Sequence, residues 1–188
     1  MTESEITEDQ RRLLYLIGAY ANAEDQEAGS EHWFKDGALL AALYELTVAG
    51  VFETYDYSAM SIMGIDGFRR FMNVSQEGMD DLNDLRELGL IDHLNMSTTH
   101  YGTVTAYRLT PKGIKAYQRI SLNERAKVDK LIRCPSCKDQ LLKIESVEFE
   151  KYEFRCQSCN FTKESGVFKI EDVSYISKPR FLKLPYRD

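Results

Sequence analysis

Apolar positions in this chain first recur with helical spacing, then alternate, and the changes of period mark out its elements. After Thr7 and Gln10, which stand at capping-box spacing, Leu13, Leu14, Leu16 and Ile17 predict an amphipathic helix to about residue 23. "EDQEAGSEHW" follows as a polar linker. "DGALLAALYELTVAGVFE", residues 36–53, predicts a second, strongly apolar helix that would be central to its domain. Residues 54–73, "TYDYSAMSIMGIDGFRRFMN", read as a loop with aromatics and then a short helix around residues 65–72.

The pattern is clearest from residue 74 onward. Taken at 100° per residue, Val74, Met79, Leu82, Leu85 and Leu88 share one helix face. Glu77, Asp80, Asp81, Asp84 and Glu87 occupy an arc of ~120° opposite, and Ser75 stands where an N-cap belongs. The chain leaves this helix through Gly89, and "LGLIDHLNM" and "TVTAYRLT" predict two strands joined by the loop "STTHYG". "PKGIKAYQRI" opens a helix with Pro111 near its first turn. "SLNERAKVDKLIR", with Ser121 and Glu124 at capping-box spacing, predicts a connecting helix.

This order of helices, strands and closing helix resembles the winged helix-turn-helix superfamily over residues 36–120, carried by "LRELGLIDHL", "YRLTPKG" and the hairpin between them. The resemblance implies that the helix after Ser75 is the one that enters the DNA major groove in DNA-binding members. Yet its exposed side offers Gln76, Asn83 and Arg86 against five carboxylates, which would repel phosphate, and "STTHYG" adds no Lys or Arg. The acidic face is therefore expected to meet a protein or solvent.

All four cysteines fall in one segment, "CPSC" at Cys134 and Cys137 and "CQSC" at Cys156 and Cys159, with an 18-residue spacer. Two residues between thiolates let one tight turn aim both sulfurs at a point, and two such turns complete a tetrahedral site. The spacer, with "LLKIESVEF" and "KYEFRC", reads as strand, turn, strand. Residues 131–175 resemble a zinc ribbon, which implies one structural Zn²⁺ per chain, with iron as the competing metal. Lys138 and Asn160 stand where ribbons usually carry Gly. Disulfides or a redox pair are the other readings of these thiols. Metal binding and ribbon folding are coupled, so Cys156→Ser is expected to unfold residues 131–175 while sparing the preceding domain.

The expected architecture is α+β: an N-terminal helix and linker (1–35), a winged-helix domain with a small β-hairpin wing (36–120), a connecting helix (121–133), an all-β zinc ribbon (134–175) and an extended tail (176–188). That tail, "SYISKPRFLKLPYRD" from residue 174, could pack across its own domains or lie in a partner's groove.

Charge divides the chain in the same way. Residues 1–100 carry 19 acidic and 6 basic side chains, net −13, and residues 101–188 carry 11 and 18, net +7. Lys112, Lys115, Arg119, Arg125, Lys127, Lys130 and Arg133 are the candidate nucleic-acid contacts. No run approaches the ~18 apolar residues of a membrane span, and the start lacks a signal-peptide pattern, so a soluble, cytoplasmic protein is expected. His32, His93 and His100 have no metal-ligand spacing, and no phosphate-binding loop or nucleophile elbow appears. Neither catalysis nor a small-molecule substrate is expected. The expected role is a non-catalytic adaptor or regulator in a larger, transcription-type assembly. The alternative is a DNA-binding regulator that uses the basic connector and the ribbon. A homodimer through the apolar N-terminal helix is a further option.

Overall fold

The computed structural model describes residues 6–21, 32–63, 69–97, 103–138, 140–148 and 150–170. The expected hairpin loop, apart from Ser97, and the C-terminal tail lie outside the described residues. Among those described, five helices and three antiparallel sheets make a mixed α+β protein.

Local signals set the helix starts. Helix α1 (Glu8–Ala21) opens on the expected reciprocal cap, with the Gln10 amide donating to Thr7 Oγ1 at 3.1 Å and the Thr7 amide to Gln10 Oε1 at 3.0 Å. Strand β1 (Phe34–Lys35) leads into α2 (Asp36–Val48). The latter stops short of residue 53: the Gly50 and Val51 amides turn back onto the carbonyls of Thr47 and Leu46 and close the helix. Val51 and Phe52 are buried all the same, which is why their apolar character looked helical.

The next stretch departs from expectation. Residues 69–74 do not continue a helix around 65–72; they form β3 (Arg69–Val74), paired with β2 (Ser58–Met63) in an unbroken antiparallel register from Ser58↔Val74 to Met63↔Arg69. Residues 65–68 lie outside the described part. The period is two: Arg70, Met72 and Val74 turn inward, while Arg69 and Phe71 turn out. Helix α3 (Gln76–Glu87) follows at once, and the Gly78 amide donates to its Ser75 cap at 3.1 Å. Gly89, at φ 67, adopts the left-handed turn that closes α3.

Strands β4 (Ile91–Ser97) and β5 (Thr103–Leu109) pair as expected, and β1 adds to the far side of β5. Helix α4 (Pro111–Gln118) is capped by Thr110, and α5 (Leu122–Ile132) by the Ser121–Glu124 box. Strands β6 (Lys143–Glu148), β7 (Lys151–Arg155) and β8 (Thr162–Glu164) complete the third sheet in that order.

Helix α1 is the hub of the molecule. Leu13, Leu14, Leu16 and Ile17 are wholly buried, packed among α3, α4, α5 and β5. Its apolar face is packed inside its own chain. The same core runs on through Val128 and Ile132 of α5 to Cys134, Leu142, Phe154 and Cys156, past the boundary expected near residue 133.

Candidate metal centre and charged faces

The four cysteines are brought together by the end of α5 and by the β6–β8 sheet. Arg133 bridges to Leu141, and the Cys134 amide donates to the Gln140 carbonyl at 2.8 Å, so the chain folds back on itself around the first pair. Lys138 closes that turn at φ 57, with its amide on the Cys134 carbonyl at 2.7 Å. It holds the left-handed position where Gly would be easier. The Cys156 amide donates to the Phe161 carbonyl at 3.0 Å and shapes the second turn.

All four sulfurs lie within 4.8 Å of one another. Cys134 Sγ is 3.6 Å from Cys159 Sγ, and Cys156 Sγ is 3.9 Å from Cys137 Sγ. A disulfide needs ~2.05 Å, so these are free thiols. A tetrahedron with ~2.3 Å metal–sulfur bonds has edges of ~3.8 Å, between the two distances. The donor set therefore fits a four-coordinate thiolate metal such as zinc. Cys134 and Cys156 are buried and the other two half-buried, and four sulfurs leave no position for a bound water.

Burial resists ionisation of Cys134, but the amides of Cys137 and Ser136 and the neighbouring thiols outweigh it and bring that thiol down to about 7. Cys137, hydrogen-bonded to Cys159, is pushed up to about 12.

The five acidic residues of α3 do not form one uniform face. Glu77, Asp80, Asp84 and Glu87 are exposed, but Asp81 is half-buried against the molecule. It accepts from Tyr55 Oη at 2.7 Å and Gln10 Nε2 at 2.8 Å, and the same Gln10 nitrogen reaches Asp84 at 3.2 Å. Burial raises the Asp81 pKa, with the nearby charges of Asp84 and Asp9 adding to it. Desolvation resists ionisation of Glu77, but its own backbone amide, together with Ser75 Oγ and the Asp56 amide, from both of which its carboxylate accepts, outweighs that and lowers its pKa.

Beside these residues is a cleft of about 480 Å³, lined by Glu8, Asp9, Arg12 and Glu53 as well as Glu77, Asp80 and Asp81. Arg12 is buried at its floor, paired to Asp9 at 2.7 Å and Glu8 at 2.6 Å and donating to the Val51 carbonyl. Sequence reasoning missed this extension because α1 and residues 51–54 meet α3 only through the fold. The spacing of Glu8 and Asp9 from Arg12, four and three residues, was its local trace.

The basic candidates divide as well. The Arg125 guanidinium lies over the rings of Tyr15 and Tyr117 and donates to the carbonyls of Tyr117 and Gln118. Lys127 pairs with Glu53 at 3.5 Å, and Arg133 with Asp129 at 3.0 Å. These three secure the connector to its surroundings. Lys112 is exposed and donates to the Leu88 carbonyl, while Lys115, Arg119 and Lys130 are exposed. Of the histidines, His93 bonds Asn95 at 3.0 Å, and His100 lies outside the described residues. No described helix is long and apolar enough to cross a membrane.

Fold and centre together define a mixed α+β protein with a four-cysteine cluster of the metal-binding kind. By sequence the chain belongs to the family described as Uncharacterized protein MJ1567 family, which it matches over residues 9–166. That span runs from α1 through β8, helices and cysteine cluster together. No curated protein matches the chain.

Proposed function

We propose that this protein is a cytoplasmic, zinc-stabilised winged helix joined to a zinc ribbon, serving as a non-catalytic adaptor or regulator in a larger assembly of the transcription type. The winged-helix reading draws support from the order α1, β1, α2, α3, β4, β5 and from a sheet in which β1 pairs with β5 and β5 with β4. On this reading the first helix of the unit is α1 rather than one inside residues 36–120. The β2–β3 hairpin stands where a short turn usually joins the second and third helices. Four thiols at metal spacing suit a reducing compartment.

One observation carries the functional reading: the exposed side of α3 presents Glu77, Asp80, Asp84 and Glu87 in the place where a DNA reader presents its base contacts. Those carboxylates, with the acidic cleft beside them, fit a basic protein surface and oppose phosphate. Asp81 is spoken for by Tyr55 and Gln10, so a clean test reverses Asp80 and Glu87. The Asp80→Lys, Glu87→Lys variant is expected to lose the co-purifying partner at unchanged melting temperature; retention of every partner would sink the reading. Random duplex DNA should not bind at ~50 or ~200 mM salt. Tight binding at low salt that collapses at high salt would instead favour DNA contact through Lys112, Lys115, Arg119 and Lys130.

A further inference from the structure

Elsewhere in the molecule carboxylates are commonly answered by a cation: Glu124 by Arg11 at 2.7 Å, Asp129 by Arg133 at 3.0 Å, Glu45 by Lys163 at 2.6 Å. On α3 they are not. Glu77, Asp80, Asp84 and Glu87 stand exposed at spacings of three, four and three residues, which makes one stripe of ~15 Å along the helix. Among the described residues none of the four pairs with a Lys or Arg. This helix face is left without a partner.

The last described residues lie beside the start of that stripe. The Val167 carbonyl accepts from the Asn73 amide at 2.8 Å, and the Lys169 carbonyl from Asn73 Nδ2 at 3.1 Å. Asn73 precedes Glu77 by four residues, so the two are at most ~14 Å apart. A second route leads to the same place. Gly166 lies against the Tyr44 ring, Tyr44 meets Tyr57 edge-on at 5.1 Å, and the Asp56 amide donates to Glu77 at 3.3 Å. Tyr57 on this route is 42 % exposed.

Residues 171–188 follow, and within them "KPRFLKLPYR", residues 178–187, holds four cations and no carboxylate. Pro179 and Pro185 disfavour helix there. As extended chain, Lys178 to Lys183 spans ~16 Å, which matches the stripe. The eight residues from Ile170 to Lys178 reach ~26 Å, more than the gap requires.

We propose that residues 178–187 dock along the exposed face of α3 in their own chain, with Lys178, Arg180 and Lys183 on the carboxylate stripe, and cover that face until a basic partner displaces them. The proposal rests on the reading of α3 as a face for basic protein surfaces, and adds its regulation. A tether this short sets an effective concentration on the order of millimolar. That favours the chain's own tail over a second copy or a foreign peptide of the same charge.

The test uses full-length, zinc-loaded protein at ~1 µM, where a second copy is dilute against the tether. A carbodiimide, which joins amines to carboxylates, should link Lys178 or Lys183 to the α3 stripe within one chain, and ~500 mM salt should suppress the link. Chymotrypsin should cut after Phe181 about tenfold faster once Asp80→Lys, Glu87→Lys frees the tail. Lys178→Glu, Lys183→Glu should give the same acceleration, and the two pairs combined, with the signs exchanged, should slow the cut again. Links only between chains, links only to carboxylates off α3, or a cut indifferent to these variants would overturn the inference. Partner loss from Asp80→Lys, Glu87→Lys with the tail's cleavage unchanged would overturn it too, and leave the adaptor reading in place. Tail links and charge-dependent cleavage in protein that captures no partner would support it and sink the adaptor reading.

Discussion

At the scale of single residues, Asp81 is the most informative side chain of the acidic helix. At 100° per residue it lies ~40° from Leu85, close enough to the core to be drawn inward. Tyr55 Oη and Gln10 Nε2 supply the hydrogen bonds that make this tolerable. Because burial raises its pKa, the folded state binds the Asp81 proton more readily than the unfolded state does. The charge therefore costs stability at neutral pH, and the cost fades as pH falls through the raised pKa. Asp81→Asn should melt at or above the wild-type temperature at pH 7, and the gain should shrink as pH is lowered; a gain that grows on acidification would refute this account. Tyr55→Phe removes a bond to a carboxylate and should cost ~2 kcal/mol in denaturant unfolding.

At the scale of elements, what was local was legible and what was long-range was not. The Thr7/Gln10, Ser75 and Ser121/Glu124 caps sit where the sequence puts them, because a cap is settled within four residues. The cysteine pairs were legible for the same reason: each turn needs only its own neighbours. The β2–β3 hairpin was hidden because "SAMSIM" mixes small polar with apolar residues, and "RRFMNV" buries Arg70 and Asn73 alongside Met72, hiding the alternation. The place of α1 at the centre was hidden because its partners lie far along the chain, as in the bonds from Gln10 Nε2 to Asp81, from Tyr15 Oη to Asp129 and from Tyr20 Oη to the Leu142 carbonyl. Gly37 marks another such approach. A Cβ there would stand 2.0 Å from Tyr152 Oη, so α2 can touch β7 only without a side chain at that point. Gly37→Ala should lower stability by ~1–3 kcal/mol. Adding Tyr152→Phe, which removes the obstructing hydroxyl, should restore part of that loss in urea unfolding; no recovery would mean that the damage lies elsewhere.

For the whole molecule, the question is whether the cysteine cluster stabilises a ribbon or the entire chain. The sequence suggested the former, with Cys156→Ser sparing everything before residue 131. The packing argues for the latter. Cys134 and Cys156 belong to the same buried cluster as Leu13, Leu16 and Leu39. Glu45 of α2 also grips the end of the third sheet, accepting from the Gly166 amide at 2.8 Å and Ser165 Oγ at 3.2 Å and pairing with Lys163 at 2.6 Å. A structural zinc contributes on the order of 10–16 kcal/mol in isolated zinc-finger peptides, as much as the ~5–15 kcal/mol that holds a typical domain folded. If the cluster holds such an ion, its loss would remove the anchor of the segment carrying Leu142 and Phe154, and with it the surface that α1 and α2 pack against. Chelation of the metal, or Cys156→Ser, should therefore raise hydrogen exchange at the amides of Leu13–Ile17 together with those of β6 and β7, in one cooperative melting transition at lower temperature. If the α1 amides kept their protection while those of β6 and β7 exchanged freely, the two parts would be independent and the shared core would be contact without coupling.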